Sequence, residues 1–165
     1  MPAVANPYGL SDEQVAALEE RFRSTPLHAL LGLEFLERSD ERVVVSMPVR
    51  NEAFGSTGNL HGGAIATLID VAAASAAARS SSFVPGKNTL VTADLHVRYL
   101  GRPNGDLVRA VASVIRAGRQ LVVVECKVLD PEDRVIATAD FAGMVVPLRD
   151  PILPGARPDP SSPEL

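Results

Sequence analysis

The stretch at residues 64–78 constrains this chain more than any other. Its side chains are almost all small and apolar, and Asp70 is the one ionisable residue among them. A helix that is apolar all round has no face to give to water, so it is expected to be buried. It is too short for a membrane span, which needs about 20 apolar residues, and a carboxylate at its middle opposes insertion. The pattern predicts one long buried helix over about 64–79. His61-Gly62-Gly63 leads into it, and Ser80-Ser81-Ser82 with Pro85-Gly86 stops it.

The rest of the chain supplies strands to enclose that helix. Val43, Val44, Val45, Met47 and Val49 form a β-rich run ending near Pro48. In 90–100, Val91, Ala93, Leu95, Val97 and Tyr99 alternate with Thr92, Asp94, His96 and Arg98, which predicts one buried and one polar face. Residues 107–117 follow Pro103-Asn104-Gly105, turn at Gly118-Arg119, and pair back through 121–129 with Val122, Val124, Cys126 and Val128 on one face. Pro131-Glu132-Asp133 marks another turn before a last strand over 135–146. Short turns join antiparallel neighbours. The expected fold is therefore α+β, an antiparallel sheet of about five to six strands wrapped around one helix.

The flanks are simpler. Ser11 with Gln14 reads as a capping box, and Val15, Leu18 and Phe22 recur at helical spacing, predicting a short helix to about Arg23. Pro26 opens a helical turn that Gly32 closes. The expected organisation is an N-terminal arm and short helix over 1–25, one domain over 26–147, and a disordered Pro-rich tail over 148–165.

Composition narrows function. Aromatics make up 4% and Trp is absent, so few stacking platforms exist for single-stranded nucleic acid. The net charge of -4 gives no basic field for a polyanion. Neither a nucleic-acid nor a membrane partner is expected. One cysteine excludes an internal disulfide framework, and the first ten residues carry no basic patch followed by an apolar run, so a cytoplasmic soluble protein is expected. There is no Gly-x-Ser-x-Gly elbow and no P-loop, and three dispersed histidines with one cysteine give no metal-ligand spacing. No metal or cofactor is expected.

Two features carry chemistry. The first N–H groups of a helix lack intrahelical partners and sit at the positive end of its dipole, so the glycine-rich entry at His61-Gly62-Gly63 suits a developing oxyanion or a phosphate. The other reading is a turn that merely needs glycines. Asp70 is the sharper clue, because an isolated carboxylate in an apolar helix is costly and concentrates at sites. Its alternative is a polar stripe of Thr67, Asp70 and Ser75. Asp70 follows His61 by nine residues, about 13 Å along a helix axis. Asp70 therefore cannot reach the helix entrance of its own chain, and if both serve one site a second copy must bring its carboxylate there.

His61-Gly62-Gly63, then Leu68 and Asp70 in an Ala-rich helix, resembles the hot-dog acyl-CoA thioesterases, and among them the phenylacetate-pathway branch. The likeness also takes in Leu30-Leu31-Gly32-Leu33, Thr92-Ala93-Asp94-Leu95 through Tyr99 to Pro103, and Ala117-Gly118-Arg119-Gln120-Leu121, covering about residues 27–146. It implies hydrolysis of an acyl-CoA or aryl-CoA thioester to free acid and CoA. The Gly62 N–H would form the oxyanion hole, with His61 holding the thioester oxygen or the loop. Asp70 would be nucleophile or general base, and Thr92 would help place water. Asn59 and Gly63 are expected to touch substrate. The position six before the histidine, an Asn in the family, is Gly55, with Asn51 and Asn59 nearby. With the spacing of His61 and Asp70, a shared site makes a homo-oligomer the expected state, a dimer or a dimer of dimers. Two other functions fit the same fold: a non-catalytic acyl-CoA binding or regulatory module, and an acyl-thioester hydratase or dehydratase. The first needs neither Asp70 nor Thr92. The second orders its His and acid differently, and position 75, where such an acid would fall, is Ser75.

Overall fold

The computed structural model describes residues 9, 11–79, 83–84 and 86–148. The predicted arm and tail, and the Ser80-Ser81-Ser82 and Pro85 stop signal, fall almost wholly outside them. The described chain runs α1 (Asp12–Ser24), α2 (Pro26–Leu31), β1 (Glu34–Arg38), β2 (Val43–Pro48), a 3-10 turn (Asn51–Ala53), α3 (Gly62–Ala78), β3 (Asn88–Tyr99), β4 (Leu107–Ala117), β5 (Leu121–Leu129) and β6 (Val135–Pro147). The six strands form one antiparallel sheet in the order β1-β2-β4-β5-β6-β3. This is the expected α+β arrangement, with α3 packed on β2 through β6. No described helix is long and apolar enough to cross a membrane.

Local chemistry sets the ends of the elements. The capping box at α1 is formed in both directions, Ser11 with the Gln14 N–H and the Gln14 side chain with the Ser11 N–H. Pro26 stands at the start of α2, and Gly32 ends it with φ +65°, a left-handed conformation that favours glycine. The Arg50 guanidinium then donates to the Leu30 carbonyl at 2.7 Å, satisfying one of the helix's last acceptors.

The core lies between α3 and the concave side of the sheet. Leu68, Ile69, Ala72, Ala73 and Ala77 meet Val43, Val45, Met47, Ala110, Ala112, Val122, Val124, Val128 and Phe141, all buried. Alanines on the helix let the strands approach closely and leave the branched residues of the sheet to fill the volume.

Two expectations are corrected. The helix is not buried all round in the single chain: Ala66, Thr67, Asp70, Val71, Ala74, Ser75 and Ala78 form a half-buried face of mostly small residues. The phase of β3 also differs. A bulge between Thr92 and Asp94 shifts its register against β6. Leu90 and Thr92 therefore share the helix side with Leu95, Val97 and Tyr99, while Val91 is exposed on the other side. One extra residue flips every side chain beyond it, which simple alternation cannot anticipate.

Candidate active site

The α3 entrance is built by His61. It is the residue before the helix, in extended conformation, and its Nδ1 accepts the Gly63 N–H at 2.8 Å. Such caps usually come from Ser, Thr, Asp or Asn. Here an imidazole does the same work, which is why the helix begins at Gly62 rather than near Ala64. An accepting Nδ1 carries no proton, so in the neutral ring the proton is on Nε2. Gly63 leaves no room for an alternative: a Cβ there would stand 2.9 Å from Nδ1. Its N–H is spent on His61, so its place in the site is to shape the cap.

The Gly62 N–H is different. Among the described residues no acceptor meets it. It is a free donor at the positive end of a 17-residue helix. The carbonyl of the same residue accepts the Tyr99 hydroxyl at 3.0 Å. Position 55, where the resemblance expects an Asn, brings its α-carbon against the imidazole: a Cβ there would stand 3.2 Å from His61 Cδ2. Asn59 turns its amide onto Thr57 O and Oγ1, at 3.1 and 3.3 Å, inside its own loop. Asn51 opens the 3-10 turn.

Two helical turns further on, the Thr92 hydroxyl donates to Asp70 Oδ1 at 2.7 Å. No other described group donates to this carboxylate, so Oδ2 is open. Asp70 is half-buried rather than fully buried in the single chain, so one charge-assisted hydrogen bond and water suffice to hold it. The rival polar-stripe residues serve their own helix: the Thr67 hydroxyl donates to Gly63 O at 2.9 Å, and Ser75 to Val71 O at 2.7 Å. The structure thus brings Asp70 to Thr92, and His61 to Gly62 and Gly63. It keeps the two groups about 12 Å apart along one helix.

The remaining candidates are accounted for. Cys126 is buried, and burial above all, with nearby Glu125, pushes its thiol up to about 12, which leaves it no use as a nucleophile. The His28 ring packs at a tilt against Phe22 and donates from Nδ1 to the Phe22 carbonyl at 3.0 Å. Arg98 pairs with Asp140 at 3.1 Å, and His96 lies 3.8 Å from the same carboxylate. Arg102, Arg116 and Arg119 are exposed.

One buried carboxylate was missed. Asp130, wholly buried, accepts the N–H groups of Asn104, Glu132 and Arg134 and a two-pronged bond from the Arg134 guanidinium at 2.7 and 2.9 Å. Burial alone would push its carboxyl up. The N–H of Asn104, the Arg134 side chain and the N–H groups of Arg134 and Glu132 outweigh that and hold it down at about 2. An Asp ahead of Pro131 at the end of a strand is the turn signal that could have found it.

Known proteins share this frame. A Halobacterium salinarum protein provisionally named an esterase is 33% identical over 126 residues, 74% of this chain and 82% of its own length. The medium/long-chain acyl-CoA thioesterase YigI of Escherichia coli is 31% identical over 135 residues, 73% of this chain and 85% of YigI. Among solved structures, a mutant of the Pseudomonas aeruginosa thioesterase PA1618 superposes with a TM-score of 0.74 at 26% identity, over 85% of this chain and 96% of that one. The family model described as the thioesterase superfamily matches residues 57–137, from the loop before His61 to the start of β6. The chain belongs to the thioesterase superfamily.

Proposed function

We propose that this protein hydrolyses acyl-CoA thioesters, with each active site shared between two copies of the chain. The observation that carries the reading is the pairing of an unmet donor and a half-open carboxylate on one helix: the Gly62 N–H and Asp70 Oδ2. A thioester carbonyl needs a donor for its developing oxyanion, and a base or nucleophile on the other side. One chain separates the two by about 12 Å, too far for a single carbonyl carbon. The half-buried small-residue face of α3 fits a second α3 running the opposite way, which sets each Asp70 beside the other copy's Gly62 and makes two equal sites.

In this reading the Gly62 N–H binds the oxyanion and the Nε2–H of His61 is available to the thioester oxygen or the loop. Asp70 attacks the carbonyl or takes a proton from water, and Thr92 orients Asp70 and the water. If Asp70 attacks, CoA leaves as an Asp70–acyl anhydride forms, and water then splits that anhydride to the free acid and Asp70. If Asp70 is the base, the water it deprotonates adds to the carbonyl and CoA thiol leaves as the free acid forms. Asn59 and Gly63 border the loop rather than offering free donors. YigI, a medium/long-chain acyl-CoA thioesterase, supports an aliphatic acyl-CoA as substrate. The likeness of the His-Gly-Gly and Asp motif to the phenylacetate-pathway branch keeps aryl-CoA within the reading.

Thiol release from short, medium, long and phenylacetyl CoA esters, with wild type and Asp70→Ala side by side, tests the activity. Release that collapses in the variant supports it; equal background release from both supports a binding module instead. Co-expression tests the shared site. Gly62→Pro removes the N–H while keeping a residue suited to the first helical position. Neither Gly62→Pro nor Asp70→Ala alone should turn over. Random pairing of the two should restore about a quarter of wild-type activity, because half the dimers then hold one intact site of two. No restoration would sink the two-copy site.

A further inference from the structure

Tyr99 makes a contact that helix capping does not require. At a helix N-terminus the N–H groups lack partners, whereas the carbonyls already accept from the next turn. Yet the Tyr99 hydroxyl donates to the Gly62 carbonyl at 3.0 Å, from a side chain that is 52% exposed and free to face water instead. The other end of that peptide unit is also held, since the Gly63 N–H donates to His61 Nδ1 at 2.8 Å. Three groups are therefore in series: phenol, the Gly62–Gly63 peptide, imidazole. A peptide that accepts a hydrogen bond at its oxygen is a stronger donor at its nitrogen, because such bonds polarise one another. The same peptide flanks the free Gly62 N–H on the other side. The Tyr99 ring lies in contact range of Gly62, where a Cβ would meet it at 3.4 Å, and a Cβ on Gly63 would press on Nδ1 at 2.9 Å.

We propose that Tyr99 is a positioning residue for thioester hydrolysis, acting through the Gly62–Gly63 peptide to hold His61 with Nδ1 unprotonated and Nε2–H free to donate. The inference rests on the thioesterase reading for its kinetic consequence, but its structural half stands apart. Tyr99 touches neither Asp70 nor Thr92, so it works on the donor side of the site alone. The bulge in β3 makes this possible, because it puts Thr92 and Tyr99 on the same side of one strand. That strand thus supplies one hydroxyl to the start of α3 and one to its middle.

The test is Tyr99→Phe, which keeps the ring and removes the donor. The nitrogen NMR signals of His61 are read on the free protein at about pH 8.5, above the ordinary histidine range of about 6.5. Wild type should show one dominant tautomer, and the variant should move towards a mixture. With the best acyl-CoA of the panel, kcat should fall about three- to tenfold with KM nearly unchanged, the effect of one neutral hydrogen bond. In a His61→Ala background, Tyr99→Phe should change kcat less than about twofold, since residues acting as a unit are not additive. Unchanged His61 nitrogens, a mixed tautomer in wild type, or an equal loss in both backgrounds would overturn the proposal. If no acyl-CoA is turned over, the thioesterase reading fails while the NMR result still decides whether Tyr99 holds His61.

Discussion

Asp70 and Asp130 are both aspartates held against the body of one small domain, and they are held in opposite ways. Asp130 is wholly buried and saturated: three backbone N–H groups and the Arg134 guanidinium occupy both oxygens. Its neighbours make it a strong staple and a poor reagent. It ties the β5–β6 turn to Asn104 in the β3–β4 connection, and the Arg109 guanidinium adds a bond to its carbonyl and another to Asp133. Asp70 accepts one hydroxyl at Oδ1 and leaves Oδ2 open on a half-buried face. A carboxylate does chemistry where its lone pairs are unspent, and holds structure where they are all used.

This contrast predicts which property each residue controls. Asp70→Asn should lower kcat/KM about 1,000-fold or more, with the melting temperature almost unchanged, as steady-state kinetics and thermal unfolding would show. Thr92→Ala should cost about tenfold in kcat/KM, the usual effect of losing a hydrogen bond to a charged group, with no new acyl preference across the panel. Asp130→Asn should leave the specific activity of folded protein near wild type, yet lower the melting temperature by about 5–10 °C. A variant at Asp130 that kills turnover without loss of stability, or one at Asp70 that melts the fold, would erase the distinction.

The smallest effect is in acid. The Asp130 carboxyl is held at about 2, below the ordinary aspartate value of about 4, so the folded state binds fewer protons than the unfolded one between these limits. Its stabilising contribution is complete above about pH 4 and is lost as the pH falls towards 2. Urea unfolding along this range should show a steeper slope in wild type than in Asp130→Asn, since the other paired carboxylates titrate in both.

Much of this was legible in the residues. Both hairpin turns, the capping box, the Pro26 and Gly32 bounds of α2 and the alternation of β5 all follow local rules that tertiary structure does not override here. The long helix was legible from its alanines, and the pairing of Asp70 with Thr92 came from the family likeness. What escaped depends on contacts distant in sequence. No glycine or proline marks the bulge at Ala93, so nothing local flags the change of face in β3. The histidine cap lies outside the usual cap residues. The half-buried side of α3 arises because the sheet closes over only part of the helix, which hydrophobicity alone cannot divide.

The order of the strands sets when the site can exist. Among the described strands β3, which carries Thr92 and Tyr99, pairs only with β6, so α3 and β3 wait on a strand made later. A chain emerging from the ribosome can form α3 and the β1–β2 hairpin from nearby residues, but β3 gains its partner only after β4, β5 and β6 have been synthesised. Pairings this far apart in sequence are slow to close, because chain entropy is lost before the contacts form. The hydroxyls that serve the start and the middle of α3 would then arrive together in the final stage of folding.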